Sequence, residues 1–571
     1  MSNVVINPYS FAGETRLITR WTLADASDLD LELWGSNLGT STYNFDVDWG
    51  DGSTETGITT SDKSHTYAST GTYTVKIGGQ FAGFYMDRGS TADKAKFVEF
   101  VQWGSETEIH SLYRAFYQCT NMVYSATDAP DLSNLSGSTQ MRQTFLYCYA
   151  VQYLDLSGWT NTDNITSGYG AFYACTGLLT LNLTGWDTSN FTAINEMCRA
   201  TGHSTNGCTF TMPNLDLTSC TTPQSIFQTA TIKSVNIDNW TLKPSTTLNF
   251  NSFFYDADGD SEGTNWTIDL SGWTNEASIN TLNGAFRSCD GLTSVDLTNF
   301  DNSNVATWYY GFGTAPDLTQ IVGLNAISAA SFTGTAMYQV FYGCSNLDFA
   351  THNFGTAFGP NLGSVTNFSS CFRNCGSATG GITAPEVGNW DVSSATTFAN
   401  MFQGCKISGT LDVSSWDVSS VVGAGFGSMF YNSSVSTVDT SNWQISSGAT
   451  YFYGCCRGAT NLTTIDFSHA SADLSGVTSW SYFCYYGGLT RFILNVSSSF
   501  AAVTAMTNMF GGMTILTADY DLLLIRCEAT NSNTVTLGAG NSKYTGGGAA
   551  ATARAALIAD HGWTITDGGI A

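Results

Sequence analysis

Leu411-Asp412-Val413-Ser414-Ser415-Trp416-Asp417-Val418-Ser419 decides the fold, because its parts return at a fixed interval along most of the 571-residue chain. Strand-like triplets begin at Leu411, Val438, Ile465 and Phe492, 27 residues apart each time. The same interval separates Leu154 from Leu181 and Ile268 from Val295, and further copies begin at Leu215 and Val235, out of phase. Five residues after a triplet begins there is usually a large aromatic: Trp159, Trp186, Trp240, Trp273, Phe300, Trp416 or Trp443. A unit of this size cannot bury its own apolar face, so successive units must stack through a parallel ladder. The pattern predicts a mainly β solenoid.

The fixed offset of the aromatic makes it part of the core; the alternative, a sugar-stacking platform, needs exposed rings. After several of these aromatics comes Asp-x-Ser, as at Trp186-Asp187-Thr188-Ser189, Trp390-Asp391-Val392-Ser393 and Trp416-Asp417-Val418-Ser419, whose short polar side chains suit a backbone-bonded turn. Eight Phe-x-x-Cys pairs recur: Phe116/Cys119, Phe145/Cys148, Phe172/Cys175, Phe286/Cys289, Phe341/Cys344, Phe372/Cys375, Phe402/Cys405 and Phe452/Cys455. The 15 cysteines are odd in number and too regular for a disulfide scaffold, so they are expected to be reduced and buried at one interior place per turn.

The recurrence of Phe-x-x-Cys with Leu-Asp-Leu-Ser-x-Trp resembles the BspA-like leucine-rich repeats of bacterial surface proteins and some phage proteins, over about residues 111–510. The stretches 198–263 and 306–383 are irregular and read as insertions on one face; Val438 lacks a preceding Phe-x-x-Cys, since Phe430 is followed by Tyr431, Asn432 and Ser433. Upstream, Trp49-Gly50-Asp51-Gly52, His65-Thr66-Tyr67 and Gly71-Thr72-Tyr73-Thr74-Val75 resemble a PKD domain, a small β-sandwich, with further strands expected over 16–23 and 29–34. Within that motif His65 reads as a turn or core residue. Downstream, helical spacing over 518–529, a strand over 533–537, a flexible hinge at 546–548, a helix over 549–560 and a strand over 563–566 read as an α/β cap closing the array. The expected domains are therefore 1–100 (PKD-like β-sandwich, the docking module), 101–515 (solenoid) and 516–571 (cap).

Composition narrows function. A net charge of −26 disfavours nucleic acid and anionic lipid as partners. No window is long and apolar enough for membrane insertion, and the start Met1-Ser2-Asn3-Val4 does not read as a secretory signal. The six histidines are scattered without a nucleophile or carboxylate pattern, and no phosphate-binding glycine loop or Cys-x-x-Cys zinc spacing occurs, so no enzyme is expected. One segment is a candidate metal site: Asp256, Asp258, Asp260 and Glu262 alternate around Gly259 and offer oxygen ligands for calcium, with a solvated acidic loop as the alternative. The resemblances imply a phage virion surface protein on tail or capsid. It would dock to other virion proteins through its N-terminal module and bind a host-surface protein or glycan. A decoration protein and a bacterial cell-surface adhesin are the alternatives.

Overall fold

The computed structural model describes residues 13–36, 42–137, 140–244, 247–301, 303–323, 332–349, 362–377 and 382–571. They form two compact units, Met1–Ile279 with Cys289–Asp296 and Asn280–Ser288 with Leu297–Ala571.

The first unit opens with β1 (Leu17–Leu23), β2 (Asp30–Trp34), β3 (Asn44–Asp48), β4 (Thr54–Ile58), β5 (Asp62–Thr66), β6 (Gly71–Gln80), β7 (Phe97–Gln102) and β8 (Val123–Tyr124). Their sheet order is β4-β3-β6-β1-β7-β8, with β2 and β5 paired separately. Alternation along β3 buries Phe45 and Val47 while Asn44 and Asp46 face water. At the Trp-Gly-Asp-Gly turn Gly50 has φ +82, and a Cβ there would lie 2.4 Å from the Thr74 carbonyl, so only glycine fits. His65 stacks on Trp49 at 4.8 Å and its Nε2 lies 2.8 Å from Asp51 Oδ2, while the Tyr67 hydroxyl donates to the Trp49 carbonyl at 2.8 Å. His65 braces the turn, as expected of it.

β7 is antiparallel to β1 on one side and parallel to β8 on the other, with Phe100 opposite Tyr124. Residue 100, the expected domain boundary, therefore lies inside a strand. Phe100 and Phe97 also pack on Phe116 of the first repeat, at 5.1 and 6.0 Å between ring centroids. A solenoid's open end must be covered, and here the N-terminal sheet covers it.

In the first unit the triplets form a parallel ladder in the register Leu154, Leu181, Phe210, Val235, and Ile268 pairs with Val295. The copy expected at Leu215 is misplaced: Asp216–Leu217 pairs with Thr241–Leu242 in a second ladder, and Cys208–Thr211 occupies the triplet place. Two alternating residues suffice to mimic the triplet, so the pattern alone could not separate the two ladders. In the second unit Leu411 pairs with Val438 and Ile465 with Phe492, each 27 residues apart.

The Phe-x-x-Cys segments are neither strands nor helices. Alternate N–H groups close local turns (Ala115 to Leu112 O, Tyr117 to Arg114 O, Cys119 to Phe116 O), and those between them donate to the next repeat (Phe116 to Thr144 O, Gln118 to Leu146 O). This leaves left-handed residues four apart, Arg114 and Gln118, Gln143 and Tyr147, Asn400 and Gly404. Each non-glycine one carries a cost of roughly 1 kcal/mol, offset by a backbone fully paired in two directions. The ladder runs without a break through the stretch expected as an insertion at 198–263, where Cys198 N donates to Ile226 O and Phe227 N to Phe253 O. Those residues are ordinary turns with other side chains, not an insertion. Parts of the second expected insertion, 324–331, 350–361 and 378–381, lie outside the described residues, as do Met1–Asn3 and His352.

Seven of the eight Phe-x-x-Cys pairs occupy one register. Phe452/Cys455 does not: Phe430 N donates to Cys455 O and Asn432 N to Arg457 O, so Cys456 holds the place of the Phe. The phenylalanines stack nearly parallel, Phe372 on Phe402 at 5.5 Å and Phe402 on Phe430 at 5.8 Å. Five of these thiols reach back to the carbonyl at the preceding Phe place, among them Cys148 to Phe116, Cys175 to Phe145 and Cys375 to Phe341, all at 3.0 Å. Thr201 Oγ1 makes the same bond to Phe172 O at 2.5 Å. All fifteen cysteines are buried and free of disulfides.

The C-terminal piece is two further repeats in which helices, Thr517–Thr530 and Ala549–Ala559, replace the turn ladder, while Thr536–Gly538 pairs in parallel with Thr564–Thr566. The expected α/β cap is present. Its expected hinge at 546–548 is instead a packed turn, since a Cβ on Gly546 would meet Ile570 Cγ2 at 2.8 Å. Asp519 holds the first helix to the array, accepting from Arg491 Nε at 2.7 Å and Phe492 N at 3.1 Å. No helix among the described residues is long and apolar enough to cross a membrane.

Candidate binding surface

The four acidic residues at 256–262 are spread by the fold. Asp256 is a left-handed ladder residue, and Asp258 begins a two-residue strand with Gly259. Asp260 is buried, and its Oδ1 accepts from the N–H groups of Thr264 at 2.9 Å and Glu262 at 3.2 Å, while Oδ2 has no partner. Glu262 contributes only its backbone to that turn. Among the described residues no group of three or more His, Cys, Asp and Glu side chains is placed to hold a metal ion. Asp258 is pushed up to about 6 by partial burial and by the charges of Asp290 and Asp256.

The aromatic that follows each triplet is sealed in the core. Trp416 is 1% exposed, and its indole N–H donates to the Val387 carbonyl at 2.9 Å. Trp186, Trp240, Trp273 and Trp443 make the same bond one repeat back. These rings offer no stacking platform. The Asp-x-Ser element is the turn expected of it: Asp187 Oδ1 accepts from Ser189 N at 3.0 Å, and Asp417 Oδ1 from Ser419 N at 3.0 Å.

The aromatic surface lies elsewhere. The residue directly after the Phe place is repeatedly Tyr or Arg and is then part-exposed, whereas Leu146 at the same place is buried. In the first unit it is Tyr117, Tyr173, Arg199 and Tyr255; in the second, Arg287, Tyr342, Arg373, Tyr431, Arg457 and Tyr485. Guanidinium groups lie over tyrosine faces: Arg114 over Tyr117 at 5.1 Å, Arg142 over Tyr169 at 4.7 Å and Arg199 over Tyr173 at 5.6 Å in the first unit. In the second, Arg287 lies over Tyr310 at 4.2 Å and Arg373 over Tyr342 at 5.4 Å. Such pairs hold each ring edge-accessible and keep a cation at the surface of an acidic protein.

The row is densest around Arg457, which lies over Tyr431, Tyr482 and Tyr485 at 5.5, 5.3 and 5.5 Å. Tyr453 packs on Tyr482 at 5.7 Å and Tyr485 on Tyr486 at 4.2 Å. Tyr486 is 62% exposed, and Tyr451 and Tyr453 are each 46% exposed. Among the described residues Arg457 makes no ion pair, whereas Arg491 and Arg554 of the same unit are held by Asp519 and Asp567. Sequence reading missed this surface. Its signal was the identity of the first x in Phe-x-x-Cys, visible only once the register is known.

The stacked parallel repeats, the turn ladder and the helical closing repeats define a leucine-rich-type solenoid protein. The family model described as "Mycoplasma protein of unknown function, DUF285" matches residues 110–240, 139–266, 221–354 and 335–466, together more than half of the chain. The chain belongs to the DUF285 family. No curated protein matches it significantly. Among solved structures, a leucine rich cell surface protein from Faecalibacterium prausnitzii A2-165 is similar at 17% identity over 54% of this chain and 78% of that one, with a TM-score of 0.25.

Proposed function

We propose that this is a non-enzymatic recognition protein displayed on a phage virion surface, which binds a host-surface protein or glycan through the Tyr/Arg face of its repeats. The observation that carries the reading is the division of side chains in each turn. Phe, Cys and Trp are consumed by the core, while the one outward place beside them carries tyrosine and arginine, residue types enriched where proteins bind partners. The N-terminal module, PKD-like by its Trp-Gly-Asp-Gly, His-Thr-Tyr and Gly-Thr-Tyr motifs, anchors the protein to its neighbours in the particle and also closes the first repeat. An antibody raised against the chain should label purified virions and block their adsorption to host cells. Absence from the particle refutes the virion placement, and labelling without loss of adsorption refutes recognition in favour of a decorating role.

A further inference from the structure

We infer that the patch around Arg457 is a binding site for a carboxylated, acidic polysaccharide. This deepens the recognition reading above and rests on it. The Arg457 guanidinium lies over Tyr431, Tyr482 and Tyr485, and Tyr453 and Tyr486 extend the patch by packing on Tyr482 and Tyr485. Sugar rings pack their C–H faces on aromatic rings, and tyrosine adds a hydroxyl for the equatorial oxygens. A planar guanidinium fork matches a carboxylate in bidentate geometry. The two chemistries, side by side, fit a sugar that carries a carboxylate better than a neutral sugar or an apolar protein segment.

The local charge permits this occupant although the chain as a whole is acidic. The chain carries a net charge of −26, which repels an acidic polymer, so a site for one needs a local cation left unneutralised. Arg457 is such a cation: no carboxylate of the described residues pairs with it, whereas Arg491 and Arg554 are held by Asp519 and Asp567. Geometry favours a polymer over a single sugar. Tyr431 and Tyr485 hold the same outward place in the repeats on either side of that of Arg457, so the aromatic surface runs along the stacking direction as an extended ligand would.

The test uses the full chain and two soluble probes: polygalacturonate oligosaccharides, with a carboxylate on each ring, and neutral dextran of matched length. Calorimetric titration should show polygalacturonate binding at least about tenfold tighter than dextran at low salt, weakening as salt is raised. Arg457→Gln should lower that affinity about tenfold, as loss of one charge-assisted hydrogen bond predicts. Arg457→Lys, which keeps the charge without the fork, should fall between, and Tyr486→Ala should weaken both probes alike. Unchanged near-ultraviolet circular dichroism establishes that each variant folds. Equal affinity for the two probes, no binding of either, or full affinity in a folded Arg457→Gln protein overturns the inference. Host-cell adsorption of the native chain separates the readings: adsorption without polygalacturonate binding overturns this site and leaves recognition standing, and loss of adsorption alone overturns the recognition reading.

Discussion

Ser433→Cys should stabilise the protein. Ser433 occupies the thiol place of its repeat, three residues after Phe430, and is 2% exposed with its Oγ lacking any hydrogen-bond partner. In five other repeats the sulfur at this place donates to the Phe carbonyl one repeat back, at 3.0 to 3.1 Å. The equivalent acceptor for residue 433 is Phe402 O, which a sulfur there should reach as it does in those repeats and which the Ser433 hydroxyl does not bond. A buried hydroxyl without a partner costs about 1–3 kcal/mol, whereas a thiol behaves as a small apolar group with a weak donor. Replacing one with the other should therefore return about 1 kcal/mol. Urea unfolding of both proteins, followed by tryptophan fluorescence, reads the difference as a higher midpoint at unchanged slope. Ser433→Ala removes the orphan hydroxyl but leaves a void, so it should gain less than cysteine. A cysteine variant that melts at or below the parent would mean that the hydroxyl is satisfied, and the account of the thiol ladder would fall.

Trp416→Ala removes a ring stacked 5.0 Å from Phe398 and orphans the Val387 carbonyl, and should cost about 3–5 kcal/mol in the same urea assay; a variant that melts like the parent would refute a structural role. Burial pushes the Cys175, Cys344 and Cys484 thiols up to about 12, so iodoacetamide at pH 8 should leave them unmodified in the native protein and alkylate them in urea, as read by mass spectrometry. Asp258 is raised from 3.8 to about 6 in the fold, so the folded state holds its proton more tightly than the unfolded one. Its contribution is fully present below pH 4 and is lost as pH rises through 6. Asp258→Asn should remove that part of the decline, so the melting temperature of the variant should fall less than that of the parent between pH 4 and 7. Deleting residues 1–100 exposes Phe116 and the edge of β8, and should yield an aggregating product by light scattering, whereas keeping β7 alone does not restore the sheet that supports it.

Much of the fold was legible because its signals are covalent spacings. The interval of 27 between Leu411, Val438, Ile465 and Phe492 is the parallel register itself, and where an aromatic stands five residues on, as Trp416 and Trp443 do, it is buried and bonds the repeat before it. What escaped reading was set by backbone hydrogen bonds rather than side-chain pattern. Phe452-Tyr453-Gly454-Cys455 satisfies the Phe-x-x-Cys spelling, yet its neighbours' bonds to Cys455 and Arg457 carbonyls shift it by four residues. The Asp216–Leu217 ladder imitates the triplet because strands only two residues long carry too little alternation to declare their register.

The binding surface was hidden for the same reason. Tyrosine and arginine at the first x of Phe-x-x-Cys look like unconstrained loop residues until the ladder shows that they share one part-exposed place. Where Cys198, Cys456 and Cys484 hold the Phe place, the spelling vanishes, and with it the sign that Arg199, Arg457 and Tyr485 stand in the row. The core tolerates that exchange because the place three residues on changes as well, to Thr201, Ala459 and Gly487, so the thiol is carried by one place or the other in these repeats. The outward place obeys no such compensation, since where it is Tyr or Arg it lies outside the core. The identity of the residue there is thus free to follow what the surface meets, and it sets Tyr431 and Tyr485 on either side of Arg457, a cation that no carboxylate of the described residues pairs with.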